Sequence, residues 1–524
     1  MRLTKLSVTA FRGIAEKFTL NFDNAAKNIL LYGENGSAKS SLSYALELLF
    51  DPEPNRDLFS QRNRFAATEP KIEAEFVGRV SGKKRIDTLT WTSDEKPTPP
   101  WLLAAAARSA FLDHRKLLLL SDRTRDLSEN FFRTSVAHLF SHLPTAGGLT
   151  VGQLWKDVND RAAAYRTAQL GKGREAESGL SDPVAHHKPI EDGLNALNLA
   201  LDDYLLPLGG KPPRLVSEAT RLLSYFEHLN LTLALQFDHL SFNRTEGTFE
   251  GGRLRPEVNY CGIGLTMESL NARGEKTMIA IHHEILNEAR LTALALVLFF
   301  AAVRLQNEIP YTAGPAEQEQ PARLLVMDDV LVGLDYDHRL PILEIIRKEF
   351  EPHGYQVILL THNRVWFDIW RLQMAERTWK IIELYSRRGA GPGNSDHPVQ
   401  KQSATDLLVR SREFLADHEL PAAANYARSA VETALKKICD KRGLRVPFRL
   451  DHERYTTEVF LNAIKDEKKV VDGKHLLVPK DTQSQLRALR KTVLNELSHW
   501  HPTTATTAEV NKAIAVAEVV VKAS

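Results

Sequence analysis

The sequence predicts an α/β domain, followed by a separate all-α helical domain. Two short runs, Leu324–Met327 and Gln356–Leu360, are continuously apolar apart from the first residue of the second, which is typical of strands that are covered on both faces of a sheet. A helical pattern at Leu340–Phe350 lies between them, as in an alternating α/β chain. Beyond a glycine- and proline-rich linker at 389–403, the remaining chain carries only helical patterns.

The amino-terminal part predicts strands around one helix, within a first lobe that spans residues 1–150. The predicted strands are Leu3–Val8, Phe18–Phe22, Asn28–Tyr32, Lys71–Phe76, Thr88–Thr92 and Ser109–Leu112. The helix is predicted over Ser40–Phe50, where apolar residues recur at helical spacing.

The middle of the chain changes from helical to mixed character. Residues 151–230 are mostly helical in pattern and lack sustained heptads, so we expect a helical insertion without a long coiled coil. Strand character returns at Thr232–Phe237, and a long helix is predicted from Glu288 to Leu305. Residues 231–388 therefore form the predicted second lobe.

The carboxy-terminal segment 404–524 predicts a moderately basic helical domain. Its five expected helices are Ala404–Leu415, Pro421–Arg442, Thr456–Lys465, Asp481–Leu497 and Glu509–Lys522.

The bulk composition narrows the class of protein. An apolar content of 43% and a charged content of 26% are ordinary for globular proteins, and a net charge of +2 gives no global field for a nucleic acid or membrane. Cys261 and Cys439 are too few for a disulfide framework. The longest apolar run, Leu291–Val303, is shorter than the roughly 20 residues of a membrane span. We therefore expect a soluble, cytoplasmic protein without a membrane partner.

The first chemical motif is the glycine-containing loop Gly33–Ser40, which follows a predicted strand and opens a helix. In such a loop the backbone amides surround phosphates, Lys39 reaches the β- and γ-oxygens, and Ser40 ligates Mg²⁺. The motif predicts ATP and Mg²⁺ as ligands. Ala38 stands where glycine is usual, and a positive φ there would cost about 1 kcal/mol.

Two further motifs follow the apolar strands. Asp328 and Asp329 end the first, which predicts that Asp328 lies beside the Mg²⁺ shell and that Asp329 orients or deprotonates the attacking water. His362 follows the second strand and is predicted to sense the γ-phosphate. A structural histidine is the alternative interpretation.

Together these motifs resemble the ATP-binding-cassette ATPases of the SMC and RecF group. Leu6–Ile14 is similar to the group's opening strand and turn, and Gly33–Ser40 to its phosphate loop. Asp328-Asp329 followed by Gly333-Leu334-Asp335 resembles the RecF form of the acidic motif and D-loop. The resemblance implies an ABC-type P-loop ATPase head with a helical insertion, to which the helical bundle is added.

The resemblance also implies a set of site residues. The implied nucleotide contacts are Arg12, Gly33, Asn35, Gly36, Ser37, Ala38, Lys39, Ser40, Ser41, Asn287 and Asp335. The implied metal ligands are Ser40 and Asp328, and the implied catalytic residues are Asp329 and His362.

The group's signature loop, Leu-Ser-Gly-Gly-Gln/Glu, reaches the γ-phosphate of a second subunit in a head-to-tail dimer. Our candidate is Leu286–Arg290, in which Asn287 replaces serine and remains a good helix N-cap. The alternative interpretation is a capped core helix, and the segment Leu270–Lys276 ranks second. For the group's glutamine-bearing loop, Gln61 is the first candidate and the turn Asp113-His114 the second.

Within the group, the chain is similar to short ATPases of prokaryotic antiphage systems, such as the Septu ATPase subunit and retron-associated relatives. That resemblance implies a partner effector such as a nuclease. The helical domain resembles HEPN bundles, but His499 lies too far from Arg490 for their Arg-x4-6-His motif, so we expect a non-catalytic docking bundle. Two alternatives stay open: a RecF-like DNA-repair ATPase that binds nucleic acid directly, and an ATP-locked scaffold with little turnover.

Overall fold

The computed structural model describes most of the chain as two compact units, 1–399 and 400–524. The described residues are 1–23, 25–51, 57–80, 83–92, 96–121, 151–171, 183–226, 229, 231–237, 239–242, 258–259, 263–279, 286–308, 321–331, 334–375, 377–388, 396–400, 404–447, 456–469, 475–490, 493 and 506–524.

The first unit mixes strands and helices. Its strands, together with the one that crosses into the second unit, are β1 (Arg2–Thr9), β2 (Phe18–Asn21), β3 (Asn28–Gly33), β4 (Lys71–Val80), β5 (Lys83–Trp91), β6 (Ala110–Asp113), β7 (Leu231–Phe237), β8 (Ser241–Phe242), β9 (Val258–Asn259), β10 (Ile263–Leu270), β11 (Lys276–Ile279), β12 (Leu324–Asp328), β13 (Gln356–Thr361), β14 (Trp379–Arg388) and β15 (Asp396–Gln400). Its helices are α1 (Lys39–Phe50), α2 (Pro100–Ala106), α3 (His114–Ser121), α4 (Val151–Gly171), α5 (Pro183–Leu205), α6 (Arg214–Leu223), α7 (Glu288–Glu308), α8 (Tyr336–Ile345) and α9 (Arg364–Gln373).

The central sheet has the strand order β15-β14-β3-β13-β12-β6. The contacts of β3 with β13 and β14, and of β12 with β13 and β6, are all parallel. Every residue of β12 and β13 is buried, which explains why both sequences are mostly apolar. Because the strands are parallel, their carboxyl ends meet at one edge, and that edge carries the chemically interesting residues.

A four-stranded antiparallel sheet, in the order β2-β1-β4-β5, shares a core with the central sheet and α1. One buried amide joins the two sheets. The Gln356 side chain accepts a hydrogen bond from the Leu3 N–H and donates one to the Leu3 carbonyl, both at 2.8 Å. This two-way bond fixes the amino-terminal sheet against the start of β13.

The long helix α7 begins at Glu288 and crosses the largest core of the unit. All residues of Leu291–Val303 are buried, so the longest apolar run of the sequence is a core helix. Among the helices of the described residues, none is long and apolar enough to cross a membrane.

A network of ion pairs connects α6, α7 and the turn that follows α8. The Arg221 guanidinium donates to both carboxylate oxygens of Glu349 at 2.7 Å, and the Tyr225 hydroxyl donates to Oε1 at 2.7 Å. Arg304 donates to the Glu349 carbonyl and pairs with Glu218. The hydrogen bonds from Arg221 are the main reason that the pKa of Glu349 falls to about 2.

The second unit is helical in its described part. Its helices are α10 (Ala404–Ala416), α11 (Leu420–Lys441), α12 (Thr457–Ala463), α13 (Lys480–Leu489) and α14 (Thr507–Ala523). Small residues along α11, including Ala423 and Ala427, are fully buried against neighbouring helices. The last helix begins with a capping box, in which Thr506 and Glu509 satisfy each other's backbone N–H groups.

The structure differs from the sequence predictions at several element ends. The strand predicted at Ser109–Leu112 begins one residue later, since the Ser109 hydroxyl bonds the Ala105 carbonyl and the Leu324 N–H. The helix predicted at Leu340–Phe350 begins at Tyr336 and ends in a π-turn over Ile346–Phe350.

The sequence analysis missed α2, α3, α9, β10, β11 and β14, and also β15, which lies within the predicted linker 389–403. The helix predicted over Asp481–Leu497 is described only to Leu489, and His499 lies outside the described residues. Arg490 itself lies 3.5 Å from Glu458.

Candidate functional site

A cavity of about 560 Å³ lies at the carboxyl edge of the central sheet. Its lining residues are Arg12, Asn35, Ser40, Ser43, Tyr44, Glu47, Gln61, Asp113, His114, Arg115, Asp328, Asp329 and His362. Most of them come from the ends of the neighbouring strands β3, β13, β12 and β6, from α1 and from the start of α3, while Arg12 follows β1 and Gln61 precedes β4. Ligands of α/β proteins commonly bind at such an edge.

The Gly33–Ser40 loop leaves β3 at this edge and turns directly into α1. Gly33 cannot be replaced without a clash, because a Cβ atom would lie 2.3 Å from Ser37 Oγ and 2.9 Å from Lys39 Cγ. Gly36 has a φ of 88°, and Ala38 has a φ of 62°. The left-handed φ anticipated for Ala38 is therefore present, and an L-residue pays about 1 kcal/mol for it.

Lys39 points its ammonium group back into the loop. The side chain is 5% exposed, and Nζ donates to the Gly33 carbonyl at 2.7 Å and to the Glu34 carbonyl at 3.3 Å. Nζ also lies 3.9 Å from Oδ2 of Asp329. Burial lowers the pKa of Lys39, and the charges of Asp329 and Asp328 oppose that shift.

Asp328 is the most deeply buried acid of the cavity, at 4% exposure. Burial raises its pKa to about 6, although hydrogen bonding by the Ser40 hydroxyl works in the other direction. Its Oδ1 atom accepts no hydrogen bond from any residue that the structure describes. Buried polar atoms are normally satisfied, so this oxygen indicates a missing partner in the cavity.

Asp329 joins the ends of β12 and β13. It adopts a left-handed φ of 53°, its N–H donates to the Leu360 carbonyl, and its Oδ1 accepts the His362 N–H at 2.8 Å. Nδ1 of His362 is also 2.8 Å from that oxygen, but its ring N–H direction does not fit a hydrogen bond. The backbone bonds therefore hold the carboxylate in place beside the imidazole.

Arg12 enters the cavity from the turn after β1, with a left-handed φ of 45°. Its N–H donates to the Gln61 carbonyl, and the Asn63 side chain donates to the Arg12 carbonyl. The guanidinium lies 4.4 Å from the centre of the Tyr44 ring. These contacts place a fixed positive charge at the cavity wall.

Several predicted site residues thus meet in one cavity: Arg12, Asn35, Ser40, Asp328, Asp329 and His362. Both candidates for the glutamine-bearing loop, Gln61 and Asp113-His114, line it as well. Ser41 faces the other way, because its hydroxyl accepts the Gly13 N–H at 3.2 Å.

Asn287 and Asp335 are exposed and do not line the cavity. Asn287 caps α7, since its Oδ1 accepts the Arg290 N–H at 2.9 Å. Asp335 precedes α8 and contacts His338, while Gly333 lies outside the described residues. The second-ranked signature segment, Leu270–Lys276, is the hairpin turn between β10 and β11 and opens no helix.

The sequence analysis missed four residues of the lining: Ser43, Tyr44, Glu47 and Arg115. The first three follow Ser40 at helical spacings of three, four and seven, so they occupy the same face of α1. That periodicity could have identified them. No local sequence pattern marks Arg115, because its position at the cavity depends on the pairing of β6 with β12.

The residues of the cavity fit a divalent cation that is shared with a phosphate. The unsatisfied Asp328 oxygen and the Ser40 hydroxyl supply hard oxygen ligands. Within the described residues, no three His, Cys, Asp or Glu side chains form a metal cage of their own. Mg²⁺ typically uses one or two carboxylates together with substrate phosphates, which matches this donor set.

No family model matches the sequence, and no curated protein matches it. Among solved structures, the chain is similar to the SMC head domain from Thermotoga maritima, with 13% sequence identity and a TM-score of 0.31. The match covers 77% of this chain and 100% of that chain. The assignment of the site therefore depends on its own residues.

Proposed function

We propose that this chain binds ATP with Mg²⁺ in the cavity at the sheet edge and hydrolyses it. The observation that carries the proposal is the convergence of Ser40, Asp328, Asp329 and His362 beside a loop that requires Gly33. A strand, a glycine-dependent loop and a helix in succession form an anion site, because amide N–H groups and the helix dipole face the same point.

Each side chain has a distinct role in this proposal. Lys39 leaves the Gly33 and Glu34 carbonyls and donates to the β- and γ-phosphates, while Arg12 adds positive charge at the wall. Ser40 and Asp328 hold Mg²⁺, which neutralises charge on the phosphates when bound. Asp329 orients or deprotonates the attacking water, and His362 contacts the γ-phosphate.

Substitution of Lys39 by alanine tests nucleotide binding. The affinity for a fluorescent ATP analogue should fall on the order of 100-fold, since charge-assisted hydrogen bonds to phosphate are lost. Lys17→Ala removes a lysine whose surface ion pair with Glu73 lies outside the cavity lining, and it should bind as the wild type does. Wild-type affinity in Lys39→Ala would refute the proposal.

Substitution of Asp329 by asparagine separates binding from chemistry. The amide keeps the hydrogen bond from the His362 N–H but cannot accept a proton from water. ATP affinity should stay within a few-fold of wild type, while hydrolysis falls about 10²- to 10⁴-fold. Equal turnover in both proteins would remove Asp329 from the mechanism.

We further propose that two copies dimerise around ATP, with Asn287 completing the site of the partner copy. The support is that Asn287 caps an exposed helix start but does not line the cavity of its own chain. The mass in solution with and without ATP tests this. An effector such as a nuclease, and a role in phage defence, stay predictions of the sequence resemblance.

A further inference from the structure

Asp113 lies beside the acids of the proposed nucleotide site. It ends β6 and pairs in register with Asp328, the last residue of β12. Residues paired in register on adjacent parallel strands project from the same face, about 4.8 Å apart. Asp113, Asp328 and Asp329 all line the cavity, so three carboxylates share one wall.

This wall has an unsatisfied member. Asp328 is only 4% exposed, and its Oδ1 atom has no hydrogen-bond donor within the described chain. Burial is the main cause of the raised pKa of Asp328, and the negative charges of Asp329 and Asp113 raise this pKa further. Lys39 offsets part of this charge, since its Nζ atom lies 3.9 Å from Oδ2 of Asp329, whereas Asp328 and Asp113 have no ion-pair partner within the described residues.

The other acid of the cavity is compensated and gives a useful contrast. Glu47 pairs with the Lys116 ammonium at 2.5 Å. Asp113 accepts only the Lys116 backbone N–H, at 2.8 Å, and no cationic side chain of the described residues lies within ion-pair distance. A neutral amide can accept the same hydrogen bond, so the charge of Asp113 can be removed while the cap is kept.

We propose that Asp113 makes ATP binding depend on a divalent cation. In the metal-free cavity its carboxylate repels the triphosphate, and with a cation beside Asp328 it attracts that cation. The inference deepens the proposed function and rests on it. It concerns the electrostatic effect of a carboxylate that the proposed chemistry does not use.

The two effects have opposite signs, and this makes Asp113→Asn a discriminating variant. Asparagine keeps the hydrogen bond that caps α3 and removes only the charge. With EDTA, the affinity for a fluorescent ATP analogue should rise roughly three- to fivefold, the effect of one charge several ångströms away in a wet cavity. Folding damage would lower this affinity.

The affinity for the cation is measured separately from ATP hydrolysis. Electron paramagnetic resonance gives the Mn²⁺ affinity of the complex with a non-hydrolysable ATP analogue. That affinity should fall about tenfold in Asp113→Asn, as is usual when a carboxylate next to a metal site is neutralised. Asp113→Glu keeps the charge, so its metal-free ATP affinity should stay as low as in the wild type.

Asp57→Asn is the matched control. Asp57 also caps a short helical turn, by accepting the Phe59 and Ser60 N–H groups, but it does not line the cavity. Both of its affinities should equal those of the wild type.

A loss of ATP and Mn²⁺ affinity together in Asp113→Asn would assign Asp113 a purely structural role and overturn the inference. Unchanged affinities would overturn it as well. In both cases the proposed function would survive, because wild-type binding of nucleotide with Mg²⁺ is measured in the same series. Failure of the wild type to bind nucleotide under any condition would overturn both.

Discussion

The ion pairs around Glu349 and the acids around Asp328 both remove charge from water, but only the first cluster pairs its central carboxylate with a cation of the described residues. Glu349 accepts from Arg221 and Tyr225, and Arg304 bonds its carbonyl. Asp328 instead faces Asp113 and Asp329 and keeps an oxygen without a donor in the described residues. The pKa of Glu349 falls to about 2, whereas that of Asp328 rises to about 6.

The difference separates a cluster that stabilises the fold from one that is prepared for a ligand. Satisfied networks fix neighbouring elements, here α6, α7 and the turn after α8. An unsatisfied buried acid costs stability, and strained backbone at Ala38 and Asp329 adds to that cost; under the proposed function, a bound cation would remove part of it. Both statements can be tested by unfolding the protein in EDTA. Six of the seven tryptophans lie in the first unit, so their fluorescence reports mainly on it.

Glu349→Gln should give the largest change in the free energy of unfolding. The variant removes the charge-assisted hydrogen bonds that Glu349 accepts from Arg221 and leaves Glu218 as the remaining anion of Arg221 and Arg304. We expect the free energy of unfolding to fall by about 3 kcal/mol. Urea titration followed by tryptophan fluorescence measures it. The control is Glu344→Gln, which breaks an exposed pair with Lys348 and should cost less than about 1 kcal/mol. Equal losses in both variants would contradict a special role for the network.

Asp328→Asn should change stability in the opposite direction. Its charge is disfavoured in the folded state, so neutralisation should raise the free energy of unfolding by about 2 kcal/mol at pH 7.5 without metal. The exposed Asp337→Asn should change it by less than about 0.5 kcal/mol. A destabilised Asp328→Asn would show that the acid is satisfied in the metal-free protein.

The effects of Asp328→Asn and Glu349→Gln on the free energy of unfolding should depend on pH in opposite directions. Between about pH 4 and 6, Asp328 keeps its proton when folded and loses it when unfolded, so its contribution falls as pH rises. The gain from Asp328→Asn should therefore disappear as pH falls from 6 toward 4. Glu349 has a depressed pKa, so its contribution is complete above its ordinary value near 4.5 and is lost toward pH 2. The urea midpoints of the wild type, Asp328→Asn and Glu349→Gln, measured over both pH ranges, test these two trends.

Ala38→Gly should give the smallest increase in the free energy of unfolding. Glycine relieves the left-handed conformation but gains entropy when unfolded, so the expected increase is about 0.5–1 kcal/mol. Ala45→Gly, in the middle of α1, should instead cost about 1 kcal/mol. A destabilised Ala38→Gly would mean that the methyl group contributes more by packing than it costs in strain.

The local motifs were accessible from the sequence because each depends on neighbours along the chain. The strand before Gly33, the helix after Ser40, and the acids that end β12 follow from periodicity and residue type. The Asn287 cap was predicted for the same reason and is present. Element ends were less accurate; Ser109, for example, accepts a hydrogen bond from the Leu324 N–H, a contact that lies outside any local window.

The sequence alone determined that the chain has an α/β part with a glycine-dependent loop, an acidic strand end and a buried central helix. Only the tertiary structure decided which strands are neighbours, and hence that Asp113 stands beside Asp328 while Arg221 reaches Glu349 across 128 residues. The physical reason is range. Helical and strand patterns arise from interactions between near neighbours, whereas strand order and charge pairing depend on how distant segments pack together.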